Sequence, residues 1–441
     1  MTTPDITLYQ RPAELLQQLI RFDTTNPPGN EIICISWIAD LLRAADIPVT
    51  LLAKDDNRPN LIARLKGRGD APPLLLQGHV DVVTTAGQQW DHDPFGGELI
   101  DGFIWGRGTL DMKGGVAMMI AAMLRAKVEN LDLPGDVILT VLSDEEAGGV
   151  YGAKFLVEEH PEQFEEVQFA LGEFGGTSLD IGGQRFYPLM VAEKQGCKVK
   201  LTIEGPAGHG SMPIRGGAMA KLSRVLWRLD NYQLPVHVSP VVKQMLTTVA
   251  ENTAFPISTM MRQLTNPRLT NRVLRMMGER GRVFGPMLHN TVSPTIVQGG
   301  DKINVIPGEI SLSLDGRLLP GYTPDDMASE LGTLVGHDAK IEIVDYEPGP
   351  PAANMQLFDT LSSILREADP DGIAVPMLLM AVTDARHFAR LGIQTYGFTP
   401  MQLPSDFNFS ATIHAANERI PVEAMSFGTN AIFKALQRFG G

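Results

Sequence analysis

The chain has 441 residues, enough for two or three compact units around a large core. Hydrophobic residues make up 44% and charged residues 20%, an ordinary globular balance, and the formal charge of −14 (37 basic against 51 acidic residues) disfavours non-specific binding to nucleic acid or attraction to anionic membranes. Cys34 and Cys197 stand alone in no metal-type spacing, which argues against a disulfide framework and fits a reducing compartment. With neither a secretion-signal pattern at the N-terminus nor an apolar run of about 18 residues, the expected location is the cytoplasm, with no membrane partner.

Taken in chain order, "AELLQQLIRF" and "EIICISWIADLLRAA" have helical spacing, and "NLIARLKG" and "PLLLQGHVDVV" are apolar runs between turn residues. "KGGVAMMIAAMLRAKV" predicts a long helix, and "DVILTVLSDEE" and "VQFALGEFGG" predict further strands. Short continuous apolar strands alternating with helices imply an α/β fold, with a mostly parallel mixed sheet flanked by helices. Near residue 192 the texture changes. "GCKVKLTIEGPAG", "TVSPTIVQGG", "GEISLSLDGRLLP" and "AKIEIVDYEP" alternate with period two, so 192–348 is expected to be an inserted α+β unit of half-exposed antiparallel strands, with helices at 216–230 and 324–335. Residues 1–191 and 349–441 would then form the two parts of one catalytic domain. Within the insert, 238–290 is a helical excursion carrying seven basic residues against two acids. Its ordinary reading is helices with a solvated basic face; the sharper one is a cationic, greasy rim for anionic acylated substrates.

The stretch "SDEEAGG" places Asp144, Glu145 and Glu146 at the end of an apolar strand, where repulsion and desolvation oppose ionisation. Ligands of open α/β sheets bind at the carboxyl ends of strands. His79 and Asp81 end one strand, Glu173 ends another, and Asp111 stands before the long helix in "WGRGTLDMKGG". Any one of them is ordinarily a turn or capping residue, but His79, Asp111, Glu145, Glu146 and Glu173 together suit zinc, or cobalt or manganese in its place. His92, His160, His237, His289, His337 and His387 are read as ordinary structural histidines. A dinucleotide loop is disfavoured because Asp111 occupies the third glycine position of "GRGTLD", and no phosphate-loop or GxSxG motif occurs.

The motifs "GHVDVV", "WGRGTLDMKGG", "DEEAGGVYGA", "GHGSMP", "NVIP", "TDAR" and "HAANERI" occur in the order typical of co-catalytic zinc amidohydrolases, and from about residue 12 onward the chain resembles that family. The family includes aminoacylase, carboxypeptidase G, acetylornithine deacetylase and succinyl-diaminopimelate desuccinylase. The excursion is similar in position and length to that of the carboxypeptidase S and N-acyl amino acid hydrolase branch. The resemblance implies two zinc ions per subunit: His79 and Glu173 on one, Glu146 and His414 on the other, Asp111 bridging, and a cis peptide between Asp111 and Met112. It implies that Asp81 orients His79 and that Glu145 is the general base and acid acting on a metal-bridging water. His209 would stabilise the tetrahedral oxyanion in the neighbouring subunit of a homodimer joined through the inserted unit, which would also serve as a lid. Asn304 and Arg317 would bind substrate, Arg317 competing with an internal salt bridge. The expected activity is hydrolysis of an amide bond in an N-acyl amino acid or small peptide with a free carboxylate. A dipeptidase or carboxypeptidase is the alternative enzyme, and a catalytically silent relative used for binding is the rival of another class. A calcium-stabilised binding module is disfavoured by the histidine ligands.

Overall fold

The protein is described by a computed structural model covering residues 5–350 and 352–440. The chain divides into two compact units, one formed by Met1–Val191, Asn354–Met377 and Thr383–Gly441, the other by Ala192–Ala353 and Leu378–Val382.

The first unit is built on a six-stranded sheet in the order Val49–Ala53, Pro59–Leu65, Val137–Leu142, Leu74–His79, Phe169–Gly172, Gln394–Gly397. The three pairings among the last four strands are parallel, whereas the first two pairings are antiparallel. Leu74–His79 and Val137–Leu142 are buried at every position, as strands covered on both faces require. One face carries the helix Lys113–Val128, which packs against Pro12–Ile20 and Val422–Arg438. That helix is apolar nearly all round because neighbours enclose it. Gly428 permits the closest approach there, since a Cβ would lie 2.3 Å from the Met118 sulfur. On the other face, Leu75, Ile138, Phe155, Leu156, Phe164 and Phe388 belong to one buried cluster.

Register decides what meets at the strand ends. His79 pairs with Leu142, and Leu76 with Leu171, so His79, the Ser143–Glu146 turn and Glu173 emerge along one edge of the sheet.

The second unit has a four-stranded antiparallel sheet in the order Thr291–Gln298, Glu309–Leu318, Gln195–Glu204, Lys340–Tyr346, with the helices Ala218–Asn231 and Pro324–Val335 contributing to its buried cluster. Gln195–Glu204 and Glu309–Leu318 alternate between buried and more exposed positions, as period two requires. Thr291–Gln298 departs from the expected half-exposed pattern. It is an edge strand, exposed from Ser293 onward, with a register shift between Pro294 and Ile296. The 238–290 excursion forms the helices Pro240–Glu251, Ile257–Leu264 and Thr270–Met277 with short turns after them. Among the described residues no helix is long and apolar enough to cross a membrane.

Candidate metal centre

Seven of the expected site residues converge within the first unit. The Asp111 carboxylate lies between two imidazoles: Oδ1 is 3.2 Å from His79 Nε2, and Oδ2 is 3.1 Å from His414 Nε2. His79 Nε2 also faces Glu173 Oε2 at 3.6 Å, and His414 Nε2 faces Glu146 Oε1 at 3.1 Å. Two groups of donor atoms result, each lying within 4.8 Å of one another: His79, Glu145 and Glu173 in one, Asp111, Glu146 and His414 in the other. Glu145 is thus itself a member of the first group. His79, Asp111 and Glu173 are buried, while the His414 side chain is 47% exposed and forms the open side.

Asp81 does more than orient an imidazole. Its Oδ1 lies 3.4 Å from His79 Nδ1 and accepts the Glu145 backbone N–H at 3.0 Å, and its Oδ2 accepts the Glu146 N–H at 3.1 Å. One buried carboxylate therefore fixes the turn that carries both glutamates. A second buried acid, Glu418 of "HAANERI", accepts the N–H groups of Leu110 and Asp111 at 2.8 and 3.3 Å and pairs with Arg107 at 2.5 Å. Arg107 also donates to Gln88, whose amide donates to the His414 carbonyl at 2.8 Å. The backbones of Asp111 and His414 are thereby tied to one polar chain.

Backbone geometry is unusual at the same loops. The Asp111–Met112 peptide is cis. Asp144, Phe174 and His414 have φ of 70°, 56° and 60°, and each such left-handed residue costs about 1–2 kcal/mol. Strain of that kind persists only where surrounding contacts enforce it.

The electrostatics test whether cations fit. Five carboxylates (Asp81, Asp111, Glu145, Glu146, Glu173) crowd two imidazoles. Burial opposes charge on His79, but hydrogen bonds to Asp111, Asp81 and Glu173 outweigh it and hold the imidazole well above its ordinary value. Hydrogen bonds to Asp111 and Glu146 push His414 up to about 10. Burial raises Glu173 to about 8, against the pull of His79 and with the help of the Asp111 charge, and burial with the Glu173 charge lifts Glu145 well above the carboxylate range. Asp111, despite burial, is held far below that range by His414 and His79. Protons therefore fill the role of missing positive charge, and the mixed N/O donor set suits a borderline dication.

Asp384 of "TDAR", to which the sequence attached no role, is buried with neither carboxylate oxygen hydrogen-bonded, and burial pushes it up to about 7 despite Arg386 nearby. Asp144 accepts the Tyr151 N–H and pairs with Arg58, and neither Arg58 nor Asn26 beside it was singled out from sequence.

The other three expected residues belong to the second unit. His209 lies in a two-residue strand paired with Val305–Ile306, and the Gly210 N–H donates to the Asn304 carbonyl at 2.8 Å, which brings His209 and Asn304 into one small element. The Ser211 N–H donates to His209 Nδ1 at 3.2 Å, so the proton of a neutral ring sits on Nε2, free to donate outward. Arg317 forks onto Asp315 at 3.0 and 3.3 Å, the internal pairing weighed as its competitor.

The sequence profile of the peptidase family M20/M25/M40 matches residues 75–438. The chain is 27% identical over 385 residues to the probable carboxypeptidase S-like 2 of Dictyostelium discoideum, covering 82% of this chain and 71% of that protein. It is 27% identical over 384 residues to the N-fatty-acyl-amino acid synthase/hydrolase of Mus musculus, covering 83% and 74%. Among solved structures, human carnosine dipeptidase 1 is similar with a TM-score of 0.67 at 15% identity, over 98% of this chain and 97% of that one. A Bacillus subtilis protein described as a dinuclear metal binding peptidase is similar with a TM-score of 0.60 at 15% identity, over 98% of each chain. At such identities the likeness of structures speaks for the fold alone.

Proposed function

This chain belongs to the peptidase family M20/M25/M40 and is a hydrolytic enzyme acting on amide bonds; from that premise we propose that it is a di-zinc hydrolase of N-acyl amino acids or small peptides with a free carboxylate. His79 and Glu173 would hold one ion and Glu146 and His414 the other, with Asp111 available to both. The observation that carries this reading is the Asp111 carboxylate, which offers one oxygen to each half of the cluster. Two such ions, with cobalt or manganese able to replace zinc, supply polarisation of the scissile carbonyl and a water of lowered pKa.

The chain's own residues divide the remaining work. Glu145, anchored through its backbone to Asp81 and lying with His79 and Glu173, takes the proton of the attacking water and passes it to the leaving amine nitrogen. Its raised pKa in the metal-free chain suits a group that must both accept and release a proton. His209 Nε2–H donates to the developing oxyanion of the partner subunit's substrate, and Asn304 and Arg317 bind the substrate itself, Arg317 after exchanging Asp315 for the substrate carboxylate.

We read the second unit as lid and dimerisation domain. Its edge strand exposes Ile296 and Val297 at 54% and 53%, and the neighbouring helix exposes Met219 and Trp227. A second copy would cover both, which supports a homodimer. Buried free Cys34 and Cys197 support a reducing, cytoplasmic setting. For the acyl group, a cavity of about 600 Å³ lined by Leu229, Leu234, Leu274 and Val292 with Arg275 and Arg282 supports the greasy-rim reading of the excursion. The carboxypeptidase S-like relative favours a carboxypeptidase or dipeptidase as the second reading. A panel of N-acetyl, N-succinyl and long-chain N-acyl amino acids beside dipeptides, with and without chelator, separates these possibilities. Activity that survives complete metal removal would end the proposal.

A further inference from the structure

The matched family region begins at residue 75, yet the site is joined to the segment before it. Thr24 Oγ1 donates to the Val80 carbonyl at 2.5 Å, the Val82 N–H donates to Thr24 O, and the Asn26 N–H donates to Val82 O. Residues 24–26 thus run parallel to the chain just beyond His79 and set the Asn26 side chain beside Asp81. The Asn26 amide donates twice: to Asp81 Oδ2 at 2.8 Å and to Asp144 Oδ1 at 3.1 Å. All three side chains are buried. An amide that presents one N–H group to each of two buried carboxylates offsets their mutual repulsion.

Beyond Asp144 the chain of contacts continues. Arg58 NH1 lies 3.0 Å from Asp144 Oδ1, and its remaining edge forks onto Glu31 at 2.7 and 3.1 Å, with Glu31 fully buried. Gly29, at φ 82°, leaves room for this guanidinium, since a Cβ there would lie 2.3 Å from Arg58 Nε. Both acids that Asn26 joins reach the turn bearing Glu145. Asp81 accepts the N–H of Glu145 and of Glu146, and the Asp144 carbonyl accepts those of Ala147 and Gly149.

We propose that Asn26 is a positioning residue of the hydrolytic reaction, its amide locking Asp81 to Asp144 so that the turn 144–149 holds Glu145 in place, with Arg58 and Glu31 fixing the far side of Asp144. The inference rests on the reading of Glu145 as general base. Asn26 touches neither substrate nor ion. It acts through Asp81, which serves His79 and the two glutamates together, and the segment "TTNPPGNE" is in this sense part of the catalytic apparatus.

The test uses the full-length, zinc-loaded chain, an N-acyl amino acid shown to be a substrate, metal content by atomic emission, and kcat and KM across pH. Asn26→Ala should lower kcat by about ten- to a hundredfold, the usual consequence of losing a partner that orients ligands, with KM unchanged and both ions retained. Asn26→Asp has the same shape but replaces the donor by a third carboxylate. Its kcat relative to the unmodified chain should fall at least as far at alkaline pH and recover in part in acid, where the introduced carboxyl regains a proton to donate. A kcat and pH profile like those of the unmodified chain in Asn26→Asp would overturn the inference, as would a loss in Asn26→Ala that follows lost metal. Should Asn26→Asp fail to fold, Asn26→Ala decides: a kcat like that of the unmodified chain would overturn the inference. Glu145→Gln separates the two levels. Activity in that variant removes the base assignment itself, whereas an inert Glu145→Gln beside an unimpaired Asn26→Asp removes only the role of Asn26.

Discussion

Loading the site with metal should expel protons, because the donor groups hold them more tightly than usual. The perturbation is addition of zinc to chelator-treated protein at pH 7. Without metal, His414 with a pKa of about 10 and His79 well above its ordinary value are both charged. Glu173, raised to about 8 by burial, is about nine-tenths protonated at that pH. A ligand imidazole must be neutral and a ligand carboxylate ionised, so binding two ions should release roughly two protons from His414 and Glu173, and more from His79. By pH 9 Glu173 has lost its own proton and the release should be smaller. Isothermal titration calorimetry in buffers of different ionisation enthalpy reads this count directly. Release close to zero at pH 7 would mean that the acids are already ionised and the imidazoles neutral, and the argument from surplus negative charge would fail.

The same shifts bear on the stability of the metal-free chain. Because Glu173, His79 and His414 bind protons more tightly when folded, their stabilising contribution is present in mild acid and lost as pH rises, from the ordinary carboxylate range through about 8 for Glu173 and from about 6.5 through about 10 for His414. The Tm of chelator-treated protein should therefore fall across that window by scanning calorimetry, while zinc-loaded protein stays flatter; parallel curves would contradict it. Glu145→Gln should lower kcat by about a hundredfold or more yet bind two ions, and loss of metal would make Glu145 a ligand instead. Glu418→Gln leaves Arg107 buried without its ionic partner and should cost about 3–5 kcal/mol in denaturant unfolding; a change under about 1 kcal/mol would show that the pair does not brace Asp111. Val297→Lys on the exposed edge strand should shift sedimentation from dimer to monomer without altering metal content, and an unchanged species would place any interface elsewhere.

Much of the catalytic scaffold was legible because its determinants are local. The helix over Lys113–Val128 begins where "KGGVAMM" begins, and the two fully buried strands read as unbroken apolar runs. His79, Glu145, Glu146 and Glu173 could be nominated from strand ends and Asp111 from the start of the long helix, since parallel register gathers such ends on one edge. His414 could not. It lies 303 residues beyond Asp111, and only the family resemblance supplied it. The buried supports were silent for the same reason: Asn26 meets Asp144 across 118 positions and Arg107 meets Glu418 across 311, separations at which no periodicity or spacing survives. Asp384 stood in a quoted motif, but an unpartnered buried carboxylate has no local pattern. The exposure of Thr291–Gln298 was missed because its place at the edge of the sheet, paired with Glu309–Leu318, leaves no mark in a local alternation.

The most direct measurement is anomalous diffraction from crystals grown with excess zinc. The account predicts two peaks per subunit sharing the Asp111 carboxylate, one flanked by His79 and Glu173 and the other by Glu146 and His414. A single peak, or ions held without Asp111, would contradict it.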